Sequence, residues 1–326
     1  MSTTTRVPHT ATLPGSQLTG LGPGETFRHA GPRTLLTQAF LRFRYGDGFS
    51  HSRALALQLV LAVIPLVIAF VGLSTSLGTS RVGETLRRTL LGLTPGSGGD
   101  AVSRSLSRPM HGGSGQAALY VGLLAAVVAL STAMGQVERG GNRIYGVQRD
   151  RPARQKYLRS TLLALLAGVP ALAGFVVVVA GGALADAVDR VYGHDGDLVR
   201  GAHYPVGVLL MLGALVVLFQ RAPRRPQPTL GWLVMGAGAA LVLWLVFSLL
   251  LSVYLHGSSA FGTVYGPLTG VIALLLWSQL TSIALLLGVA VSAQLEALRG
   301  GMTSAVATDT ELFGGATAAS RAVGGR

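Results

Sequence analysis

Six stretches of this chain run long enough to cross a bilayer, and together they contain a single charged residue. They are 54–78, 117–135, 158–185, 204–220, 230–255 and 267–295, with Arg159 at the start of the third as the lone charge. A helix needs roughly 20 apolar residues, at about 1.5 Å each, to span the hydrocarbon core. A core helix of a water-soluble protein would interrupt such runs with charges on its solvated face. The fold class expected is therefore all-α, a polytopic transmembrane bundle of six spans.

Composition agrees. Only 12% of residues are charged and the mean hydropathy is +0.53, whereas a soluble domain carries about a quarter charged residues. There are no cysteines, which excludes disulfides, thiolate-bound metals and a thiol nucleophile. The net charge of +13 would point to nucleic acid in a soluble protein. In a membrane protein it marks loops that set topology and meet anionic headgroups. Aromatics are 6% of the chain, too sparse for a base-stacking surface, and no nucleic acid is expected as a partner.

The arginines and the lone lysine, Lys156, are unevenly placed. Nineteen lie in 1–53, 136–159, 221–229 and the tail after Leu295, against seven in the alternate connections. The richer side belongs in the cytoplasm, so both termini are expected there, in a cytoplasmic membrane. The basic loop 79–116 runs against this count. Within it, 83–93 sets Leu86, Leu90 and Leu93 opposite Arg87 and Arg88, as either an interfacial amphipathic helix or a packed loop helix would. Residues 1–33 and 299–326 lack apolar periodicity and read as disordered tails flanking a membrane domain at 34–298. No signal peptide is legible.

Small residues recur at four-residue spacing, as in Gly122 with Ala126, Ala167 with Ala171 and Gly236 with Ala240. Such pairs let helix backbones approach closely in lipid, although a chain this rich in Gly and Ala also produces them by chance. Pro65 and Pro170 each remove a backbone hydrogen bond inside a span and bend it. No acid or histidine lies mid-span, so the titrating group of an ion-coupled transporter is missing. The polar content is hydroxyls and amides. Ser278, Thr281 and Ser282 share a face of the last span, where they either line a groove or bond back to the preceding turn.

Enzyme signatures are missing: there is no P-loop, no H-E-x-x-H, no G-x-S-x-G and no carboxylate pair on a shared face. Asp186, Asp189, His194, Asp195, Asp197 and His203 have no fixed metal-ligand spacing and read as a solvated acidic loop. No cofactor or metal is expected.

Glu138, Asn142 and Tyr145 fall at spacings of four and three, on one helix face where the second span leaves the membrane. Arg139 and Arg143 form another pair at spacing four. Glu138 is expected to pair with a basic residue of a neighbouring inner connection, such as Arg221 or Arg224. Asn142 would cap backbone groups and Tyr145 would anchor at the interface.

Two stretches carry a resemblance. One is Ser131–Pro152, with Asn142-Arg143-Ile144-Tyr145-Gly146-Val147 and then Asp150-Arg151-Pro152; the other runs Phe261–Leu268, with Tyr265-Gly266-Pro267, into Trp277 and Leu285–Gly288. Over about residues 34–298 the chain resembles the YihY/BrkB family of six-span inner-membrane proteins, and Pro65 is placed as in that family. The resemblance implies cytoplasmic termini, an envelope-integrity role and a suspected transport or lipid-handling activity. Labels of serum-resistance virulence factor and of ribonuclease BN also attach to the family, and these residues give no support to the second. The chain departs from the family at Ala290, where relatives carry an acid, and at Leu57, Gln58 and Ala62, where they carry a Tyr and a Ser ahead of the proline.

The expectation is thus a membrane protein that moves an amphiphilic, lipid-like molecule, with a pathway near Pro65, Ser131, Ser278 and Ser282. The alternative is a scaffold that docks envelope proteins. Anionic headgroups are the expected lipid partners, and Glu138, Asn142, Arg143, Tyr145, Tyr265 and Gly266 form a structural motif.

Overall fold

Why the chain enters the bundle as it does begins with two short amphipathic helices. The computed structural model describes residues 5–10, 22–76, 114–147, 151–178, 181, 196–257, 268–302 and 304–308. Helix α1 (Pro23–Ala30) starts on a proline, which fits the first turn of a helix, and Glu25 there accepts the Gly22 N–H at 3.0 Å. Gly31, at a φ of +76°, turns the chain into α2 (Pro32–Tyr45). On α2, Leu35, Ala39, Arg42 and Phe43 form one buried face that packs on the last helix.

These helices correct the expectation that residues 1–33 are a structureless tail. Residues 23–30 are helical, and α2 starts at 32, because a proline start, the Glu25 carboxylate on the Gly22 N–H and a buried Thr26 make a local nucleus that docks on the bundle. Short strands, β1 (Thr5–Arg6) and β2 (Ala307–Thr308), also pair antiparallel. The two described ends of the chain therefore meet on one face.

Six long helices follow: α3 (Gly48–Ser76), α4 (Ser114–Ile144), α5, α6 (Gly196–Arg221), α7 (Leu230–Gly257) and α8 (Thr269–Arg299). Helix α5 begins as Ala153–Leu163, passes through a π-helical turn at Ala164–Gly168 and ends its membrane-length segment at Val178. The π turn lies just before Pro170, where the missing N–H and the ring would break an ordinary i→i−4 ladder. All six are long and apolar enough to cross a membrane, so the all-helical, six-span fold is as expected.

The boundaries differ from the apolar runs. Helix α4 continues past Gly135 to Ile144, and α8 past Leu295 to Arg299. At about 1.5 Å per residue, a helix of 31 residues is roughly 46 Å long against a hydrocarbon core of about 30 Å. The excess projects as helix because buried polar partners wait for it at that end.

Each long helix packs on its neighbours in sequence, and α8 returns to α3, closing a ring. In the most extensive pairs, α3–α4 and α7–α8, glycine brings backbones together. A Cβ at Gly122 would stand 2.5 Å from the Ala69 nitrogen, and one at Gly288 would stand 2.6 Å from the Gly236 carbonyl oxygen. Ala126 and Ala240 are buried beside these contacts, so two of the three expected small-residue pairs lie at helix interfaces. Outward, Leu57, Leu61 and Ile64 on α3, and Val121, Leu124 and Val128 on α4, are half exposed or more. Such continuous apolar surface is stable facing lipid.

Candidate functional site

The polar side chains gather at the end of the bundle where the two termini meet, called here the basic end. Two features lie there: a buried junction that ties the helices together, and beside it an open groove.

The junction is built on the projecting part of α4. Glu138 is fully buried, and its Oε1 lies 2.8 Å from Nη1 of Arg151, in the segment leading into α5. Arg151 also donates to the carbonyls of Ala222 (3.0 Å) and Pro223 (3.2 Å), between α6 and α7. The basic partner of Glu138 is thus Arg151 where the sequence pointed to Arg221 or Arg224. The loop holding those two is gripped through its main chain instead. One turn on, Asn142 Oδ1 accepts the Arg224 N–H at 2.7 Å.

Tyr145 is wholly buried, not held at a membrane interface, and its ring lies 4.4 Å beneath the Arg225 guanidinium. Burial pushes its phenol well above the usual range. Arg225 pairs with Glu296 of α8 and donates to the Thr10 hydroxyl, which itself donates to Glu296 at 3.1 Å. Arg42 of α2, also fully buried, donates from Nε to Gln294 Oε1 at 3.0 Å and faces the carbonyls of Pro8 and Ile144 at 3.4 Å. Burial pushes Arg42 down to about 10, which still leaves it charged at neutral pH. Arg143, on the opposite side of α4, is exposed.

Gly146 lets the N-terminal segment cross this junction. It has a φ of +79°, and a Cβ there would fall 2.8 Å from the Pro8 carbonyl. The segment Val7–Thr10 is thereby strapped over α4, α8 and the α6–α7 loop.

The groove lies between α3, α4 and α5. Its described lining is Gln58 from α3; Ser131, Thr132, Gly135 and Arg139 from α4; Arg151; and Lys156, Tyr157 and Ser160 from α5. Its volume is about 430 Å³, inside the range of roughly 300–1,000 Å³ typical of ligand sites. None of the described lining residues is a carboxylate, and Arg151 pairs with Glu138 from the groove's edge.

Helical phase says where the groove leads. Val121, Leu124, Val128, Thr132, Gly135 and Arg139 follow one another at spacings of three and four along a single stripe of α4. The first three are 65%, 69% and 57% exposed, facing outward where lipid would be, and the last three line the groove. The groove is therefore the inner continuation of an outward-facing stripe, which passes from exposed to half-buried and buried residues between α3 and α5.

Of the residues singled out as a pathway, Ser131 lines this groove, donating to the Val127 carbonyl at 2.6 Å with Thr161 Oγ1 at 3.1 Å. Pro65 is half-buried in α3 and is not among the lining residues. Ser278 and Ser282 are buried in α8, where Ser282 donates to the Ser278 carbonyl at 2.8 Å. The groove accordingly forms on the first three spans, without α8. Tyr265, Gly266, the 83–93 segment and residues 186–195 lie outside the described residues; His203 is buried against Gly181. Among the described residues no three His, Asp or Glu side chains group as metal ligands.

The family described as Virulence factor BrkB matches residues 39–308. The chain belongs to that family. The BrkB match opens inside α2 and closes at β2, so it contains the groove and all of the junction except the Val7–Thr10 strap. Similar proteins include a ribonuclease-like protein, YfkH, of Bacillus subtilis, 26% identical over 80% of this chain and 95% of its own length. UPF0761 membrane proteins of Aromatoleum aromaticum and of Azoarcus sp. are 28% and 30% identical over 80% of this chain. The matched region spans 62% and 64% of those two relatives, under two thirds of their length. No solved structure matches this BrkB-family chain.

Proposed function

We propose that this BrkB-family membrane protein lies in the cytoplasmic membrane with its basic end in the cytoplasm, and that it moves an amphiphilic, lipid-like molecule between leaflets. The observation that carries this reading is the run of one α4 stripe from outward-facing apolar residues into the polar groove. Its floor continues the lipid-facing stripe of α4, so an amphiphile can slide its headgroup in while its tails stay in the bilayer. The cations and hydroxyls along that path replace water around the headgroup, and stabilising a headgroup below the interface is the costly part of crossing. An envelope-integrity role follows from control of lipid distribution. The orientation is supported by the nineteen basic residues on the side of the meeting termini.

The reading carries no catalytic step. Metal-assisted hydrolysis needs carboxylate or imidazole ligands at its site. The described lining of the groove supplies cations, hydroxyls and one amide, and neither a carboxylate nor an imidazole.

A second reading has an observation of its own. Arg44, Arg143, Arg154, Arg221 and Arg224 are exposed at the basic end, where they suit a scaffold that docks acidic faces of envelope-assembly proteins. Reconstitution into vesicles holding a fluorescent, chemically bleachable phospholipid separates the two. Bleaching of the inner-leaflet pool from outside supports movement of lipid; bleaching limited to the outer half, across several lipid classes, favours the scaffold.

A further inference from the structure

We infer that the inner end of the groove is a phosphate site, with Lys156 and Arg139 as its cations, the Ser160 hydroxyl as its donor and Gly135 as its floor. This rests on the reading of the groove as an amphiphile site and names the chemistry of the headgroup.

The hydroxyls lining the groove are not equivalent. Ser131 spends its proton on the Val127 carbonyl, and Thr132 sits 2.7 Å from the Ala129 carbonyl and 2.8 Å from Gln58 Oε1. A hydroxyl has one hydrogen to give, so these two have no proton left for an anion. Ser160 differs. Its side chain is 1% exposed, and its Oγ has no hydrogen-bond partner. A buried hydroxyl left without a partner costs stability, and here it faces a cavity containing three cations. The Arg139 Nε is likewise buried with no hydrogen-bond partner. Both groups are donors, which is the polarity an oxyanion requires.

Gly135 makes the space. A Cβ built there would stand 3.5 Å from Ser160 Oγ and 3.6 Å from Lys156 Cε. The missing side chain therefore sits between the orphaned hydroxyl and the lysine stem. Arg151, the third cation of the lining, holds Glu138 and two carbonyls and so walls the site, while the Arg139 Nε and the Lys156 stem beside Gly135 lie within it. Basic side chains beside a short donor suit a phosphate; charge-assisted hydrogen bonds of this kind are the strong ones. The occupant is either the phosphate of a membrane lipid or that of a free phosphate ester.

The test is equilibrium binding to the purified full-length chain in detergent, with dioctanoyl phosphatidic acid, dioctanoylglycerol and inorganic phosphate as probes. Phosphatidic acid is expected to bind saturably and dioctanoylglycerol roughly tenfold or more weakly. Gly135→Ala meets only ordinary van der Waals contacts, so it keeps the thermal midpoint while weakening phosphatidic acid roughly tenfold, as does Lys156→Gln. Arg44→Gln, on the exposed side of α2, leaves binding unchanged. Displacement of phosphatidic acid by millimolar inorganic phosphate assigns the site to free phosphate esters; saturable binding without such displacement assigns it to the lipid headgroup. Equal binding of dioctanoylglycerol and phosphatidic acid, or binding untouched in both variants, overturns the proposal. A chain that moves neutral lipid in vesicles but fails this test loses the phosphate site alone. One that binds phosphatidic acid here and moves no lipid keeps the site and loses the transport reading.

Discussion

Glu138 and Arg151 meet at 2.8 Å with the carboxylate entirely buried, and the same guanidinium holds two carbonyls of the α6–α7 loop. One arginine thus ties the projecting end of α4 to the far side of the ring. Removing one partner of a buried pair strands the other, at a cost of about 3–5 kcal/mol, whereas replacing both with apolar groups is often near neutral. Glu138→Ala is expected to lower the unfolding midpoint in detergent, and adding Arg151→Met to recover much of that loss. A single variant as stable as the parent would remove the junction from the account.

The α7–α8 contact depends on two glycines facing each other. A Cβ at Gly288 would come within 2.5 Å of the Ala240 Cβ and 2.6 Å of the Gly236 carbonyl oxygen. Overpacking of this kind costs about 1–3 kcal/mol where side chains can yield, and here one obstacle is backbone. Gly288→Val should therefore reduce the yield of folded protein on size exclusion. Gly238→Ala, with nothing within 4 Å of the added Cβ, should behave as the parent. Equal yields from both substitutions would contradict the close approach.

The N-terminal strap is sensitive to acid. Burial, then the charge of Arg225, hold the His9 imidazole below its ordinary value of 6.5, with Glu296 opposing. A depressed histidine favours the neutral form in the docked state, so its contribution is whole above pH 6.5 and is lost as pH falls through the docked value. Hydrogen exchange over Val7–Thr10 should quicken between pH 7.5 and pH 5.5 relative to the core of α8. The same pH response in His9→Gln would show that another group is responsible.

The six spans were legible because lipid demands uncharged runs of a fixed length, and few other folds tolerate them. Their inner ends were not, since α4 and α8 continue as helix once Glu138, Asn142 and Glu296 find partners from other loops. Residues 22–45 were passed over for a related reason: α1 and α2 are short and polar, and only docking makes them helices. Arg42 did leave a signal, falling in phase with Leu35, Ala39 and Phe43, the pattern of a paired cation on a buried face.

The shared face of Glu138, Asn142 and Tyr145 could be read from spacing alone. Arg151, Arg225 and Glu296 could not be joined to it, because spacing within one helix says nothing of contacts between helices. Ser131 stood out as a polar residue in a span. Gly135, Lys156 and Ser160 did not, since what unites them is the packing of α5 across α4.

The most direct test asks whether the groove is open to the bilayer. The chain has no cysteines, so single nitroxide labels can be placed at Val128→Cys, Thr132→Cys and, as a buried control, Ala133→Cys, in lipid nanodiscs. An open groove gives frequent collisions with lipid-soluble oxygen at 128 and 132, and few at 133, which is fully buried in α4. If position 132 is instead as shielded as 133, or collides only with a water-soluble nickel chelate, the lateral opening does not exist and the lipid-handling reading falls with it.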